Sequence, residues 1–300
     1  MKRYPSKSIV TFLILTLSAL VLLVAAAFQI RGEPTCVDCY ESDKGQFKYV
    51  LYDGTSPSVI PSIHNTLLIN RTPLMKTFEL DSMPPVTVRV WRNQKAYLDE
   101  QERSIGYRYA FSTGYIDPKS NEIRLLYFGG EIHKTALHEF VHLLTLQVNP
   151  NFANNPRWLW EAIAIYKSED YWFHLSNRHA ISRRFDGLVQ DLYNKPNSTS
   201  AVYELGYAVG EFIERSWGEE AFVDLIKSNG DPSRFTDQPL ESLFSDWEKF
   251  VKTTYLSGPK SEYEKAMERN PFDRRDTSNC SKKEVMFDMN IASFLFVLLI

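Results

Sequence analysis

Residues 138–142 read His138-Glu139-Phe140-Val141-His142 and lie within an apolar run that extends from 135 to 148. An α-helix completes a turn in about 3.6 residues, so side chains four positions apart lie on the same face. Two imidazoles placed in this way can bind one Zn²⁺ at about 2.0–2.1 Å. The residue after the first histidine then lies beside the open coordination position. We therefore expect a helix that supplies two ligands, with Glu139 as the base that deprotonates a zinc-bound water.

The same pattern also arises by chance on helices whose histidines are only packed. The neighbouring apolar residues form a stripe that would bury this helix, with the two histidines at its margin. The members of the stripe are Ala136, Leu137, Phe140, Val141 and Leu144. A packed structural pair is therefore the alternative to a metal site, and a third ligand is needed to decide between them.

A third candidate ligand, Glu161, lies in the apolar segment 156–166, which we expect to form a second helix. Eighteen residues separate it from His142, enough for a helix end, a loop and a return. An unpaired carboxylate is costly to bury, so Glu161 should have a cationic partner. Glu169 and Asp170 lie in a polar segment where water can solvate them. Three protein ligands and one open position are typical of catalytic zinc, whereas structural zinc usually has four protein ligands.

Together the two motifs resemble those of the gluzincin metallopeptidases, the thermolysin-like and aminopeptidase-like clan with two histidines and a distal glutamate. The likeness is strongest to small bacterial, peptidase-MA-like members with H-E-x-x-H followed by W-L-x-E-G-x-A-x-Y, and it covers about residues 120–230. Ala162 stands where the family usually has glycine, a change tolerated where no close backbone approach is needed. The resemblance implies an α+β zincin-like fold, with a small N-terminal mixed sheet, a helical C-terminal half and zinc where the two meet.

Gluzincins usually add a tyrosine or histidine, from a helix beyond the glutamate ligand, that stabilises the oxyanion. By this resemblance the candidates are Tyr207 and Tyr203, four residues apart on one face of the expected helix 203–217. Tyr207 is the first choice, because the small residues Gly206 and Gly210 would let this helix approach the zinc helix closely. Tyr203, nearer the start of the helix, is the second, and a core position for either tyrosine is the alternative.

The expected strands in the first half of the chain cover 47–52, 86–91, 107–111 and 123–127. Residues 65–80 are compatible with helix or strand, and a helix should begin at an Asn93 cap and run to about residue 102. In gluzincins the last strand before the zinc helix is a sheet edge that pairs with extended substrate. The resemblance implies that role for 123–127, with a plain edge strand as the alternative. Further helices are expected at 203–217, 219–228 and 240–255.

A membrane segment is predicted near the N-terminus. Residues 9–30 contain no charged side chain, and Lys2, Arg3 and Lys7 precede them. A run of this length can span a bilayer, and the positive flank stays in the cytoplasm. The alanines at 25–27 also offer a cleavage site, so a long cleavable signal peptide is the alternative. Both interpretations place the remaining chain outside the cytoplasm, either membrane-anchored or secreted.

The expected organisation is a basic cytoplasmic stub (1–8), the membrane segment (9–30), a linker (31–46), a zinc metallopeptidase-like domain (47–258) and a polar tail with a short apolar end (259–300). Cys36 and Cys39 lie in the linker, where a local or intermolecular disulfide is expected. A hydrophobic content of 44% supplies a substantial core. A net charge of −3 argues against a nucleic-acid partner.

These features predict an extracytoplasmic metallopeptidase that cleaves peptide or protein substrates. Zn²⁺ would be bound by His138, His142 and Glu161. Glu139 would act as general base and then pass its proton to the leaving amine. One alternative is a binding module that keeps the fold and zinc without hydrolysis, although such a module would not require Glu139. Another is hydrolysis of a non-peptide amide at the same site.

Overall fold

The computed structural model describes residues 40–169, 186, 187, 189 and 201–257. They belong to two compact units. Unit 1 comprises the described parts of Met1–Thr72 and Ser82–Leu143, and unit 2 those of Pro73–Asp81 and Leu144–Ile300. The division between Leu143 and Leu144 falls inside one continuous helix, which therefore contributes to both units.

Unit 1 contains a mixed sheet of five strands, which are β1 (Tyr40–Lys44), β2 (Phe47–Leu51), β3 (Val86–Trp91), β4 (Gly114–Asp117) and β5 (Glu122–Leu126). Their order in the sheet is β1-β2-β3-β5-β4. Strands β2, β3 and β5 are parallel to one another, whereas β1 and β4 are antiparallel edge strands. With the helices described below, this sheet confirms the predicted α+β class.

The strand register brings two entry points of the chain to the same end of the sheet. One row of paired residues crosses all five strands, and it consists of Tyr40, Leu51, Val90, Leu125 and Gly114. Strand β1 begins at one end of this row and β4 begins at the other. Tyr40 and Gly114, the first residues of β1 and β4, therefore both lie at the carboxyl end of the parallel strands.

The sheet corrects three expectations. Strand β5 lies between β3 and β4, so the assignment of 123–127 to the sheet edge is wrong and the edge strand is β4 (Gly114–Asp117). Residues 107–111 form a loop rather than a strand, because their aromatic rings are exposed instead of alternating with buried ones. Strand β1 occupies part of the expected linker 31–46, so the folded domain begins before residue 47.

Seven α-helices longer than one turn occur among the described residues. They are α1 (Ile60–Thr77), α2 (Gln94–Ile105), α3 (Ile132–Val148), α4 (Arg157–Lys167), α5 (Ala201–Trp217), α6 (Ala221–Lys227) and α7 (Leu240–Val251). Helix α1 settles the ambiguity over 65–80. Asn93 caps α2 as predicted, because its Oδ1 accepts a hydrogen bond from the Ala96 amide at 3.1 Å.

Helix α3 packs against the sheet of unit 1 through its apolar stripe. The Phe140 ring lies 5.8 Å from the ring of Phe47 on β2, and neither side chain is more than 1% exposed. Val88 and Val90 of the neighbouring strand are fully buried. Removal of this apolar surface from water contributes about 25 cal/mol per Å², which fixes the helix on the sheet.

In unit 2, helices α4 and α5 approach each other closely. A Cβ atom on Gly206 would lie 2.9 Å from Ile165 and 3.2 Å from the Cα of Ala162, and one on Gly210 would overlap Tyr166. The close approach expected from these glycines therefore exists, but its partner is α4. The backbones of the two helices also approach closely at Ala162. The glycine that permits this approach is Gly206, which lies on the facing helix α5.

No helix in the described ranges has the length and apolar composition of a membrane span. Several predictions concern residues outside the described part of the chain. These are the membrane segment 9–30, Cys36 and Cys39, Asp170, and the tail 259–300.

Candidate metal centre

The first two candidate ligands stand on one face of α3. The rings of His138 and His142 have centroids 4.7 Å apart and are nearly perpendicular. Both side chains are buried, with 8% and 3% exposure. The four-residue spacing therefore produces the neighbouring pair that the sequence predicts.

Glu161 joins these two histidines. It lies on α4 with 4% exposure, and one ligand atom from each of the three residues lies within 4.8 Å of the others. Within unit 2, Trp160 on α4 donates a hydrogen bond from Nε1 to the Thr145 hydroxyl on α3 at 3.2 Å. Thr145 comes three residues after His142, so this buried bond fixes α4 beside the last turns of the ligand helix.

The donor set is chemically suited to a catalytic metal ion. Two imidazoles and one carboxylate are ligands that Zn²⁺ accepts, and three protein ligands leave a position for water or substrate. Ligands about 2.1 Å from a tetrahedral ion lie about 3.4 Å apart, so small side-chain rotations would bring the three atoms to coordination distance. The three residues therefore fit a zinc ion.

Glu139 lies next to the first ligand and against the edge strand β4. Its side chain is 7% exposed. A Cβ atom on Gly114, the first residue of β4, would lie 2.7 Å from Glu139 Oε1 and 2.6 Å from Thr135 Cγ2. Any larger residue at 114 would displace the carboxylate. Sequence patterns did not identify Gly114, although a glycine within a strand often marks such a close approach.

Glu161 also contacts two residues of unit 2. The Tyr203 hydroxyl donates a hydrogen bond to Glu161 Oε1 at 3.0 Å, and Arg157 Nη2 lies 3.2 Å from the same oxygen. Arg157 Nη2 also donates to the Tyr203 hydroxyl at 2.6 Å. The Glu161 carboxylate therefore has a cationic side chain beside it. Sequence patterns did not identify Arg157 either, although its position four residues before Glu161 on a helix is a recognised ion-pair spacing.

The two candidate tyrosines occupy different places. Tyr203 contacts Glu161, whereas the ring of Tyr207 lies 5.1 Å from the ring of Tyr166. Helices α4 and α5 run past each other in the same direction, so one turn along α5 corresponds to about one turn along α4. Tyr207 is consequently displaced from Glu161 toward the carboxyl end of α4. Glu169, at that end, is exposed as expected for a solvated carboxylate.

No protein-family model matches this chain, and a search of curated proteins found no match. The chemistry of its own residues is therefore the basis for assigning a function.

Proposed function

We propose that this protein is a membrane-anchored zinc metallopeptidase whose catalytic region lies outside the cytoplasm. The observation that carries the proposal is the buried group of His138, His142 and Glu161, with Glu139 directly after the first ligand. A packed histidine pair explains neither the convergence of a carboxylate on the imidazoles nor a second buried carboxylate beside them.

Glu139 is the general base of the proposed reaction. When bound, Zn²⁺ supplies Lewis-acid chemistry, polarising the scissile carbonyl and lowering the pKa of a coordinated water towards about 7. The Glu139 carboxylate accepts a proton from the attacking water and later donates it to the leaving amine. Gly114 leaves the space that this carboxylate occupies, so the edge strand helps to hold it in place.

The edge strand β4 supports a polypeptide as the substrate. An extended peptide can add to a sheet edge through main-chain hydrogen bonds, a mode that gives affinity with little dependence on side chains. Because β4 begins at Gly114, a peptide paired along it would pass close to Glu139. In this proposal β4 takes the role that the family resemblance implied for 123–127.

Tyr203 is the better placed of the two candidate donors, because its hydroxyl already donates a hydrogen bond to the third ligand, Glu161. Arg157 carries the positive charge of this cluster and contacts both Glu161 and Tyr203. A positioned donor of this kind stabilises negative charge that develops on the carbonyl oxygen. We assign oxyanion stabilisation to Tyr203 and the orientation of Glu161 to Arg157.

The proposed anchor is the segment 9–30, with Lys2, Arg3 and Lys7 retained in the cytoplasm. Protease added to right-side-out vesicles should then digest the chain beyond Ile30. Protection of residues 40–257 under these conditions would reverse the topology.

The activity is tested with the purified full chain and an unstructured substrate such as casein. One equivalent of zinc should support hydrolysis, a chelator should stop it, and added zinc should restore it. Zinc binding without hydrolysis of casein or of a peptide library would instead favour the binding module. Cleavage confined to non-peptide amides would favour the amidohydrolase.

A further inference from the structure

Unit 1 exposes an unusual number of aromatic rings at one end of its sheet. Tyr107, Tyr109 and Phe111 are 65%, 54% and 75% exposed, and Phe128, which follows β5, is 48% exposed. The first three lie in the loop 106–113, which we call the aromatic loop. Exposed apolar surface is unfavourable in water, and a group of such residues commonly marks an interaction site.

The backbone of the aromatic loop is held by hydrogen bonds to α2, although its rings are exposed. The Tyr109 amide donates to Gln101 Oε1 at 2.6 Å, and Gln94 Nε2 donates to the Ala110 carbonyl at 3.3 Å. Arg108 is paired with two carboxylates of α2, one of them Glu102 at 2.6 Å. Helix α2 therefore presents the rings in a defined arrangement.

The aromatic loop lies at the end of the sheet through which the chain arrives from the proposed anchor. It leads into Gly114, and Gly114 and Tyr40 terminate one row across five strands, about 19 Å apart at the usual strand spacing. Only residues 31–39 connect the segment 9–30 to Tyr40. A chain of that length spans at most about 36 Å, so Tyr40 cannot lie farther than that from the end of the proposed anchor.

We propose that the aromatic loop docks on the surface of the bilayer that holds the N-terminal segment. This inference rests on the proposed membrane anchor. Tyrosine and phenylalanine rings suit the interface, where the ring enters an apolar layer and the tyrosine hydroxyl stays hydrated. Short tethering then brings the loop and the lipid surface together at high effective concentration.

Docking of this loop also restricts the substrate. Phe111 is three residues from Gly114, so their Cα atoms lie no more than about 11 Å apart. Gly114 is in contact distance of Glu139. Glu139 therefore faces polypeptide segments near the membrane surface, such as the extracytoplasmic stretches that adjoin other membrane spans.

The test uses the full chain reconstituted in phosphatidylcholine vesicles that contain a phospholipid with a photoreactive group at headgroup depth. After illumination, labelled residues are mapped by mass spectrometry. The aromatic loop should be labelled at least fivefold more than Leu68 and Ile69, which are 51% and 72% exposed on α1 of the same unit. These two residues control for apolar exposure alone.

Two variants test whether the rings themselves maintain the contact with lipid. Combined Tyr107→Ser, Tyr109→Ser and Phe111→Ser substitutions should reduce labelling of the loop at least fivefold, with an unchanged melting temperature and unchanged hydrolysis of a soluble peptide. Insertion of twenty Gly/Ser residues between 31 and 39 lowers the effective concentration of the loop at the bilayer, so labelling of the parent loop should also fall, but less than in the triple variant, which loses the contacting rings themselves.

The outcomes distinguish the docking from the anchor. Labelling of 9–30 by a reagent at acyl-chain depth, together with an unlabelled aromatic loop, overturns the docking and leaves the anchor intact. An unlabelled segment 9–30 overturns the anchor and the docking with it. An unlabelled loop whose triple variant raises KM for a soluble peptide assigns the rings to substrate binding and likewise overturns the docking.

Discussion

Two buried polar clusters in this chain differ in how their charges are arranged. Around Arg124 in unit 1, side chains of opposite sign face one another: Arg124 contacts Glu100 at 2.8 Å and Glu122 at 2.7 Å, and Arg89 contacts Glu122 at 2.8 Å. At the candidate metal centre, two imidazoles and a carboxylate converge instead. The first cluster consists of ion pairs between protein side chains, whereas the second gathers electron-pair donors that suit a cation, with Arg157 beside one of them. This contrast separates a structural cluster from a candidate functional one.

The pKa of Glu122 indicates that the neighbouring arginines stabilise the charged form of this carboxyl group. Burial raises the pKa of this carboxyl group, but hydrogen bonds from Arg89 and Arg124 outweigh burial and lower the pKa below its ordinary value. A carboxylate whose pKa is lower in the folded state stabilises the fold above its unfolded pKa. That contribution is lost as the pH falls through the folded value.

The largest expected effect is on activity at the metal centre. Glu139→Gln removes the base and keeps the side-chain volume, so turnover of casein should fall by about 10²–10⁴-fold. Zinc content and melting temperature should remain those of the parent. Glu131→Gln is the matched control, because Glu131 is exposed immediately before the same helix. Loss of zinc together with activity would show that Glu139 is a ligand and not the base.

The second-largest expected effect follows from a substitution in the Arg124 cluster. Glu122→Gln leaves Arg89 facing a neutral amide in a buried position, so the free energy of unfolding at pH 7 should fall by about 3–5 kcal/mol. Zinc affinity should not change. Urea unfolding measures the difference, which should shrink as the pH falls from about 4.3, where the unfolded chain takes up the proton, through the lower pKa of folded Glu122, where the folded parent loses the same charge. A difference that is constant from pH 7 to pH 3 would contradict the role of this ion pair.

The two tyrosines of α5 provide a smaller contrast. Tyr203→Phe removes the hydroxyl that contacts Glu161, so turnover should fall by about 10²–10³-fold with little change in KM. Tyr207→Phe, next to Tyr166, should leave turnover within about threefold of the parent, since no donor at the centre is lost. Steady-state kinetics on a soluble peptide compare the two. If Tyr207→Phe instead lowers turnover more than Tyr203→Phe does, Tyr207 is the hydrogen-bond donor to the oxyanion.

Local patterns accounted for the parts of the fold that depend on neighbours in sequence. Strand β3 begins and ends at the predicted residues 86 and 91, and the Asn93 cap and the histidine spacing on α3 follow from nearby residues. The edge position of β4 did not follow, because strand order depends on pairing between distant segments. Strand β4 is also only four residues long and begins with glycine, a weak strand former.

The choice between Tyr203 and Tyr207 likewise depended on information absent from the local pattern. Both lie on the α5 face that packs on α4, so helical periodicity alone does not separate them. Their partners are set by how far α5 is displaced along α4. Contacts of Gly206 with Ala162 and Ile165 fix that displacement.

The smallest expected effect concerns Arg157, which acts through Glu161. Loss of a residue that orients a metal ligand typically lowers metal affinity about 10–100-fold, so Arg157→Met should weaken zinc binding by that amount. Methionine keeps much of the apolar stem and removes the charge, while Arg157→Lys should recover part of the affinity. A competition assay with a chromogenic chelator measures these differences without reference to turnover.

Two further variants provide reference values of zinc affinity for comparison with Arg157→Met. Glu161→Ala removes the ligand itself and should weaken zinc binding more than Arg157→Met does. Glu169→Ala, at an exposed position beyond α4, should bind zinc like the parent. If Arg157→Met also binds zinc like the parent, Arg157 does not orient Glu161. If it binds more tightly, the guanidinium competes with the ion for the carboxylate, and the cluster resembles the Arg124 network more than a preformed metal site.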